Sequence, residues 1–451
     1  MKLRTSAPKA NGIGVHREIS SAETYARVAP HLLRAGITRV ADITGLDRIG
    51  IPVYNAISPR SNDIISVYNG KGLTAIDAKT SAVMEGIERF SAWLPRRPDA
   101  IATYDELIAQ GRSVMHPGEY VFELAPYYAD DLPISWTLGY DMLNEEEVLV
   151  PQDGACYSPK FHEAPCYKIT TTNGLASGNT LEEAICHALC EVIERDSITI
   201  SEVLSSQLCQ VLEKGLSSVP AQSREITGYL RELNPHVSVA SLPERAQSLI
   251  TKIHAARLEM RVIQLNSDLG IPSFMAATAE DMGPTVSQGH GGFGTHPDAE
   301  VAIIRAITEC VQGRVVDIQA MREDISLPGT DVPKHMYHVR RSSTFDKGAW
   351  IWNPMEKVLD AADLTTYRHD DVMDDVRLML DRLRRSGIQR AIVVDFSPPH
   401  IPVSVVRVIV PGLESWAVDH CKLGDRARSA WKRAVQDISA RHQALATTNA
   451  G

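Results

Sequence analysis

The sequence predicts an α+β fold assembled from a repeated unit: a strand, a small-residue turn and a long helix. Three observations predict it. Glu85-Gly-Ile-Glu88-Arg89 and Glu191-Val-Ile-Glu194-Arg195 share one pattern 106 residues apart, each with an alanine, Ala78 or Ala184, seven positions before its first glutamate. A diverged third copy sets Ala302, Glu309 and Gln312 in the same frame. Glycine turns stand ahead of the first two copies, Gly72 and Gly178 each 13 residues before the first glutamate.

Taken in order, residues 1–60 run from a polar start through a short helix, 22–35, into a loop ending at Ser58-Pro59-Arg60. A strand over 63–68 feeds the turn Asn69-Gly70-Lys71-Gly72, which opens the first acid helix, 74–93. Lys71 lies where backbone amides and a cation can meet a phosphate, although the full phosphate-loop spacing is absent. Residues 101–128 have a mixed pattern and read as peripheral. Strands follow at 134–140 and 147–151; a third, 167–172, leads into the turn Asn173-Gly174-Leu175-Ala176-Ser177-Gly178 and the central helix 181–196. Residues 203–257 read as helices with polar connections, and 260–266 with 273–279 as a hairpin about Ser267-Asp268-Leu269-Gly270. Gln288 to Asp298 is expected to be a flexible glycine-rich loop that closes over a ligand, carrying His290 and His296 and ending near a helix cap at Thr295 or Asp298. A Pro- and charge-rich insertion, 322–372, precedes a helix at 373–386, a hairpin of 390–395 with 402–409, and a solvated helix, 424–446.

The acid helices carry the chemistry. At about 100° of turn per residue, Glu183, His187, Glu191 and Glu194 fall within about 80° of one another on the central helix. One turn before the first glutamate of each copy stands Ser81, His187 or Arg305. A lone E-x-x-E is ordinarily a solvated helix face. Three in one register are better read as the walls of one site. Two carboxylates about 5 Å apart repel by roughly 3 kcal/mol at an effective dielectric of about 20, so such a cluster calls for a cation. Oxygen ligands without paired His or Cys suit Mg²⁺, which keeps few protein carboxylates and completes its shell with phosphate and water. Arg89, Arg195 and Arg305 beside the acids suit the phosphates. A di-iron or di-manganese carboxylate site would instead want E-x-x-H pairs, and the partners here are Glu, Glu and Gln.

Composition narrows the class. A chain of 451 residues with 44% hydrophobic and 23% charged residues is that of a soluble globular protein. Its length suggests two or three lobes or one large domain with insertions. Net charge of −10 argues against nucleic acid or an acidic membrane as partner. No apolar run is long enough to span a bilayer and no signal-peptide core opens the chain, so a cytoplasmic location is expected. Seven scattered cysteines fit reduced thiols, and Cys186 and Cys190, one turn apart, fit buried packing better than zinc or redox chemistry.

These motifs resemble the YcaO-domain family. The resemblance is carried by Gly70-Lys71-Gly72, then Ser81, Glu85, Glu88 and Arg89; by Asn173-Gly174, then Glu183, Glu191, Glu194 and Arg195; by His296-Pro297-Asp298, then Arg305, Glu309 and Gln312; and by Val410-Pro411-Gly412-Leu413-Glu414. It implies a YcaO-type fold with mixed, largely antiparallel sheets around a cleft for ATP and Mg²⁺. The implied division is an N-terminal segment 1–60, a catalytic domain 61–415 with insertions near 101–130, 203–257 and 322–372, and a helical tail 416–451. Implied metal ligands are Glu85, Glu88, Glu191, Glu194 and Glu309. Implied ATP contacts are Lys71, Ser81, Arg89, Asn173, Ser177, Glu183, Arg195, Arg305, Glu309 and Gln312. No residue stands out as a catalytic base.

The implied activity is phosphorylation of a peptide-bond oxygen by ATP after a nucleophile adds to the amide carbon. Azoline-forming relatives end in a P-x-P-x-P tail, whereas this chain ends Ala-Leu-Ala-Thr-Thr-Asn-Ala-Gly, and its first 60 residues are expected to hold no winged helix for a leader peptide. The segment from Ile43 to Ala56 resembles the TfuA-associated branch, which implies a backbone thioamide made with external sulfide. A TfuA-like partner, a sulfur donor, a peptide or protein substrate and a homodimer follow from that resemblance. Azoline or amidine formation, or a non-catalytic ATP-binding accessory role, are the alternatives.

Overall fold

The computed structural model describes residues 1, 3–10, 16–59, 61, 63, 65–157, 165–168, 170–215, 220–281, 287–320, 350–352 and 357–448. Most of the expected insertion at 322–372 lies outside the described residues. Helix α1 (Ser21–Val28) stops short of the expected 35, since Pro30 cannot donate the next helical hydrogen bond and Ala29–His31 tighten into a 3-10 turn. Strands β1 (Arg39–Asp42), β2 (Val53–Ile57) and β3 (Val67–Lys71) form an antiparallel sheet that leads into α2 (Ala75–Ala92). Thr74 caps α2, its hydroxyl accepting from Asp77 N while the Asp77 carboxylate accepts from Thr74 N.

A six-stranded sheet follows. It holds β4 (Ala100–Ala102), β5 (Ile134–Asp141), β6 (Glu146–Pro151) and β7 (Leu175–Gly178), with α3 (Tyr104–Ala109) and α4 (Gln152–Ala155) in the connections. Its later strands are β13 (Ile392–Asp395) and β14 (Ser404–Ile409), and the order is β4-β5-β13-β14-β7 with β6 on β5. Side-chain alternation divides two cores across it. Ile392, Val394, Val405 and Ile409 pack with the residues of α2, while Val393, Val406 and Val408 pack with α5 (Leu181–Glu202) and α10 (Val372–Arg385). A third core lies under a five-stranded sheet, order β11-β10-β9-β8-β12. Its strands are β8 (His236–Val237), β9 (Glu259–Gln264), β10 (Ser273–Asp281), β11 (Ser287–Thr295) and β12 (Val358–Leu359), covered by α8 (Glu244–Ala255) and α9 (Ala299–Ala320). Helices α6 (Cys209–Gly215) and α7 (Pro220–Glu232) follow a π-helical turn at the end of α5. The chain ends in α11 (Trp416–Asp419) and α12 (Asp425–Thr448). The described tail helix is not simply solvated as expected: Ala427, Ala430, Ala434 and Ile438 are buried against Leu204, Leu208 and Leu230. Glu414 fixes its start by accepting from Gly424 N and Ala427 N at 2.8 and 2.9 Å.

Three expected turns and loops prove to be strands. Asn69–Lys71 belongs to β3, Leu175–Gly178 is β7, and most of the stretch expected as a closing loop, 288–298, is β11. Among the described residues of 167–172, expected as a strand, the only strand pairing is an isolated bridge from Tyr167 to Leu124. The glycines misled because they serve packing rather than turning. A Cβ on Gly70 would lie 2.2 Å from Ala78 O and 2.1 Å from Ala82 N. A Cβ on Gly294 would lie 2.0 Å from Ala302 O and 2.7 Å from Ala306 N. A Cβ on Gly178 would lie 2.5 Å from Ala184 N. In each unit the strand backbone therefore lies directly on the helix backbone, which is why an alanine recurs seven residues before the first glutamate. Among the described residues no helix is long and apolar enough to cross a membrane.

Candidate functional site

Close packing of strand on helix sets the position of every acid. Each helix rests on its own strand and also on the next unit's: α2 on β7, α5 on β11, and α9 on β3. The units thus close into a ring with the glutamate stripes turned inward. The first glutamate is then held by its own strand. Glu85 accepts from Asn69 N and Glu309 from Phe293 N, each at 3.2 Å and each from the residue 16 positions earlier. Between units, Lys71 Nζ lies 2.6 Å from Glu309 Oε2, Gln312 Nε2 donates to Asn69 O at 3.4 Å, and Ser177 Oγ donates to Met84 O at 3.3 Å.

The ring is a chain of interacting charges. Burial pushes Glu88 up to about 8, with Glu191 and Glu85 adding to it against the pull of Arg89 and the Ser177 hydroxyl. Glu194 is pushed up to about 7 by burial and by Glu309, against Arg305 and Arg195. Glu85 and Glu191 are also raised, by burial that Arg89 and Arg195 only partly offset. Glu309 alone is lowered, because Lys71 and the Phe293 amide outweigh its burial. Water still touches these side chains, 19% of the Glu191 surface and 36% of that of Glu309, so they line a recess rather than a sealed core. Burial and mutual repulsion raise four of the five acids, as expected of a carboxylate cluster built to receive cations.

Arginines frame the recess. Arg195 Nη2 reaches Glu191 at 3.2 Å, Arg89 faces Asp63 at 3.7 Å with Tyr157 under its guanidinium at 5.4 Å, and Arg305 donates to His187 Nε2 at 2.9 Å. Several buried atoms have no hydrogen-bond partner among the described residues: Asn69 Oδ1, Asn173 Oδ1, Gln312 Oε1, Arg195 Nε and Arg305 Nε. Acceptors wanting a cation interleave with donors wanting an anion, and that donor set fits a metal-bound polyphosphate.

The structure thus brings together Lys71, Glu85, Glu88, Ser177, Glu191, Glu194, Arg195, Arg305, Glu309 and Gln312. Ser81 sits one turn ahead of Glu85, and Asn173 is buried just before β7. Glu183 takes its contacts elsewhere, accepting from Glu18 N at 2.7 Å and from Asn179 N and Nδ2 at 2.8 and 2.9 Å. His290 faces Asp317 at 3.1 Å, away from any closing loop. All seven cysteines are free thiols, and Cys186 and Cys190 are buried as expected.

Sequence reasoning missed the N-terminal segment. Arg4 pairs with Glu18 and Glu182, each at 2.6 Å, Lys9 with Asp375 at 2.6 Å, and Arg17 with Glu183 at 3.6 Å. These contacts strap residues 3–10 and 16–18 across the starts of α5 and α10. The spaced cations Arg4, Lys9 and Arg17 in a stretch poor in large apolar residues were the available signal.

A family model described as YcaO cyclodehydratase, ATP- and Mg²⁺-binding, matches residues 69–414. An uncharacterized protein in the tfuA 3′ region of Rhizobium leguminosarum bv. trifolii is 31% identical over 424 residues, 91% of this chain and 92% of that one. An uncharacterized protein of Methanothermobacter thermautotrophicus is 32% identical over 425 residues, 91% and 98% of the two chains. Among solved structures, YcaO from Methanopyrus kandleri, bound with AMPPCP and Mg²⁺, superposes with a TM-score of 0.62 at 24% identity over 91% of this chain and 95% of that one. A heterocyclase in complex with substrate and cofactor gives 0.70 at 22% identity; the match covers 92% of this chain and 54%, about half, of the heterocyclase.

Proposed function

The chain belongs to the YcaO family, and from that premise we propose that it is an ATP-dependent enzyme that activates a peptide backbone amide and installs a thioamide with external sulfide. The observation that carries the ATP-dependent half is the ring of Glu85, Glu88, Glu191, Glu194 and Glu309, drawn from three helices, the first four raised by burial and Glu309 held down by Lys71. These acids hold Mg²⁺, while Lys71, Arg89, Arg195, Arg305 and Gln312 orient the phosphates, with Ser81 and Asn173 as further nucleotide contacts; Ser177 steadies Glu88, and Glu183 is held by Asn179 and the N-terminal segment. Bound ATP and Mg²⁺ supply the phosphoryl group that carries off the amide oxygen and the charge that screens it. The protein's part is positioning and electrostatics, since a rigid ring of preset dipoles needs no rearrangement as charge develops. Asn69 N and Phe293 N fix Glu85 and Glu309, and the Lys71 ammonium keeps Glu309 ionised.

The sulfur half is supported by the resemblance of 43–56 to the TfuA-associated branch and by a relative that lies in a tfuA 3′ region. A TfuA-like protein is the proposed partner for sulfur delivery, and a small ribosomal peptide or a larger protein the substrate. Ring formation by a side-chain nucleophile is the rival, and the heterocyclase likeness, at 22% identity, speaks for the fold alone. Incubating the full chain with ATP, Mg²⁺, sulfide and candidate peptides, then weighing the peptides, separates the two. Exchange of one oxygen for sulfur is the expected result, loss of water points to ring formation, and no change with ATP intact in every combination overturns the enzymatic reading.

A further inference from the structure

Behind Arg305 lies a small cavity lined by Arg17, His187, Cys186, His296 and Val372, among others. Resting on the thioamide reading, we propose that this cavity is a binding site for a one-heavy-atom anion and that its occupant is hydrosulfide.

The argument begins with tautomers. A guanidinium can only donate, so the 2.9 Å contact from Arg305 makes His187 Nε2 an acceptor and puts the ring proton on Nδ1. At His296 the arrangement is reversed. Its Nδ1 accepts from Asp298 N at 2.9 Å, so the proton sits on Nε2. Both remaining N–H groups, His187 Nδ1 and His296 Nε2, are buried without a hydrogen-bond partner among the described residues, and the acceptor facing His296, Asp375, is 3.8 Å away. Two unmet donors beside two guanidinium groups call for an acceptor that carries negative charge.

The negative groups already present are spoken for. Glu183 accepts from Glu18 N, Asn179 N and Asn179 Nδ2 and faces Arg17. Asp375 meets Lys9 Nζ at 2.6 Å and His369 Nδ1 at 2.8 Å. Three cations, Lys9, Arg17 and Arg305, thus stand against these two carboxylates, with Arg305 also answering Glu194 on its recess side. Both imidazoles stay neutral: burial first, then Arg305 and Arg17, hold His187 well below its ordinary value, and burial with His16 and Lys9 does the same for His296.

A cation is excluded by the same geometry. Cys186, His296 and Asp375 come within 4.8 Å of one another, as metal ligands would. Yet His296 presents a proton there and Lys9 occupies the carboxylate, so two of the three ligand atoms are already taken. Size selects the anion. The cavity holds about 20 Å³, roughly one water-sized sphere, so a tetrahedral oxyanion does not fit and a single sulfur does. Arg305, which also lies near Glu194, forms the wall shared with the carboxylate recess, so the nucleophile would be stored beside the phosphate clamp.

The test uses the full chain. Crystals soaked in bromide, a probe of similar charge and shape, should show an anomalous peak between His187 and His296 that is lost in His296→Leu and in Val372→Met, which fills the cavity with an apolar side chain. In the thioamidation assay both variants should raise KM for sulfide at least tenfold while KM for ATP stays within twofold. His296→Gln, which keeps a donor near Nε2, should restore most of the sulfide affinity. No bromide peak, or an unchanged sulfide KM in both folded variants, overturns the proposal. If the wild type makes no thioamide from any peptide, the thioamide reading fails by itself and the hydrosulfide assignment with it; the bromide peak then decides whether an anion site exists.

Discussion

The first and third units hold their leading acid by the backbone, and the second does not. Glu85 and Glu309 each accept an N–H from the strand residue 16 positions earlier, and each unit has a glycine 15 positions earlier, Gly70 or Gly294, pressed onto its helix. In the second unit the corresponding positions are Leu175, whose N–H goes to Thr172 O, and Ala176. Glu191 turns instead to Arg195. The difference lies in the strand amide. Strands β3, β7 and β11 all end their sheets, but the Leu175 amide is spent on Thr172 O, whereas those of Asn69 and Phe293 reach the recess, and an acid tied to them is preset. The second unit leaves Glu191 and Glu194 to side chains alone, and so leaves them freest to turn toward a cation.

The glycines offer the sharpest way to break this comparison. Gly294→Ala would bring a Cβ to within 2.0 Å of Ala302 O, and backbone cannot yield as a side-chain tip can. A loss of more than about 3 kcal/mol is expected in urea unfolding, or no folded protein at all. The converse change, Ala176→Gly, should cost only about 1 kcal/mol, the entropy of a glycine in a strand. Equal costs would mean that the units do not differ as described. Next in size is Glu191→Gln, expected to lower ATP turnover by about 100-fold or more with folding intact. Retained turnover in that variant would remove the second unit from the metal site.

How much of this could be read from the sequence depends on which contacts are local. The acid stripes and the register of Glu85, Glu191 and Glu309 were legible because helical spacing is a local property. So was the hairpin of β9 and β10, whose partners are a few residues apart. The strands β3, β7 and β11 were misread as turns because glycine signals both a turn and a close approach, and only the helix lying on Gly70 or Gly294 tells which. The strap made by Arg4, Lys9 and Arg17 was invisible for a related reason: its partners Glu182, Asp375 and Glu183 lie some 165 to 366 residues away, and no periodic pattern reports such pairing.

A smaller effect concerns pH. Glu88 at about 8 and Glu194 at about 7 both stand above the ordinary carboxylate value of 4.5. The folded state therefore binds protons that the unfolded chain has lost. Stability of the cation-free protein should be greatest below about 4.5 for these two groups and decline as pH rises toward 8. Mg²⁺ competes with those protons, so the rise in Tm on adding Mg²⁺ should be larger at pH 8.5 than at pH 6. Calorimetry at the two values checks it, and an equal rise at both would mean that the acids are already ionised.

The smallest change expected is at the seam between the first and second units. Ser177, on β7, donates to Met84 O, and where its hydroxyl turns instead to the Glu88 carboxyl on α2 it helps hold Glu88 down against burial and its acidic neighbours. Ser177→Ala removes one hydrogen bond to an acid, worth about 1 kcal/mol, and leaves the strand backbone untouched. Glu88 should then keep its proton to higher pH, and Mg²⁺ affinity measured by calorimetry near neutral pH should fall about fivefold. The loss should shrink as pH rises and Glu88 ionises regardless of the serine. A loss independent of pH would instead assign Ser177 a direct contact with the nucleotide, making the second unit's strand part of the ligand site as well as its support.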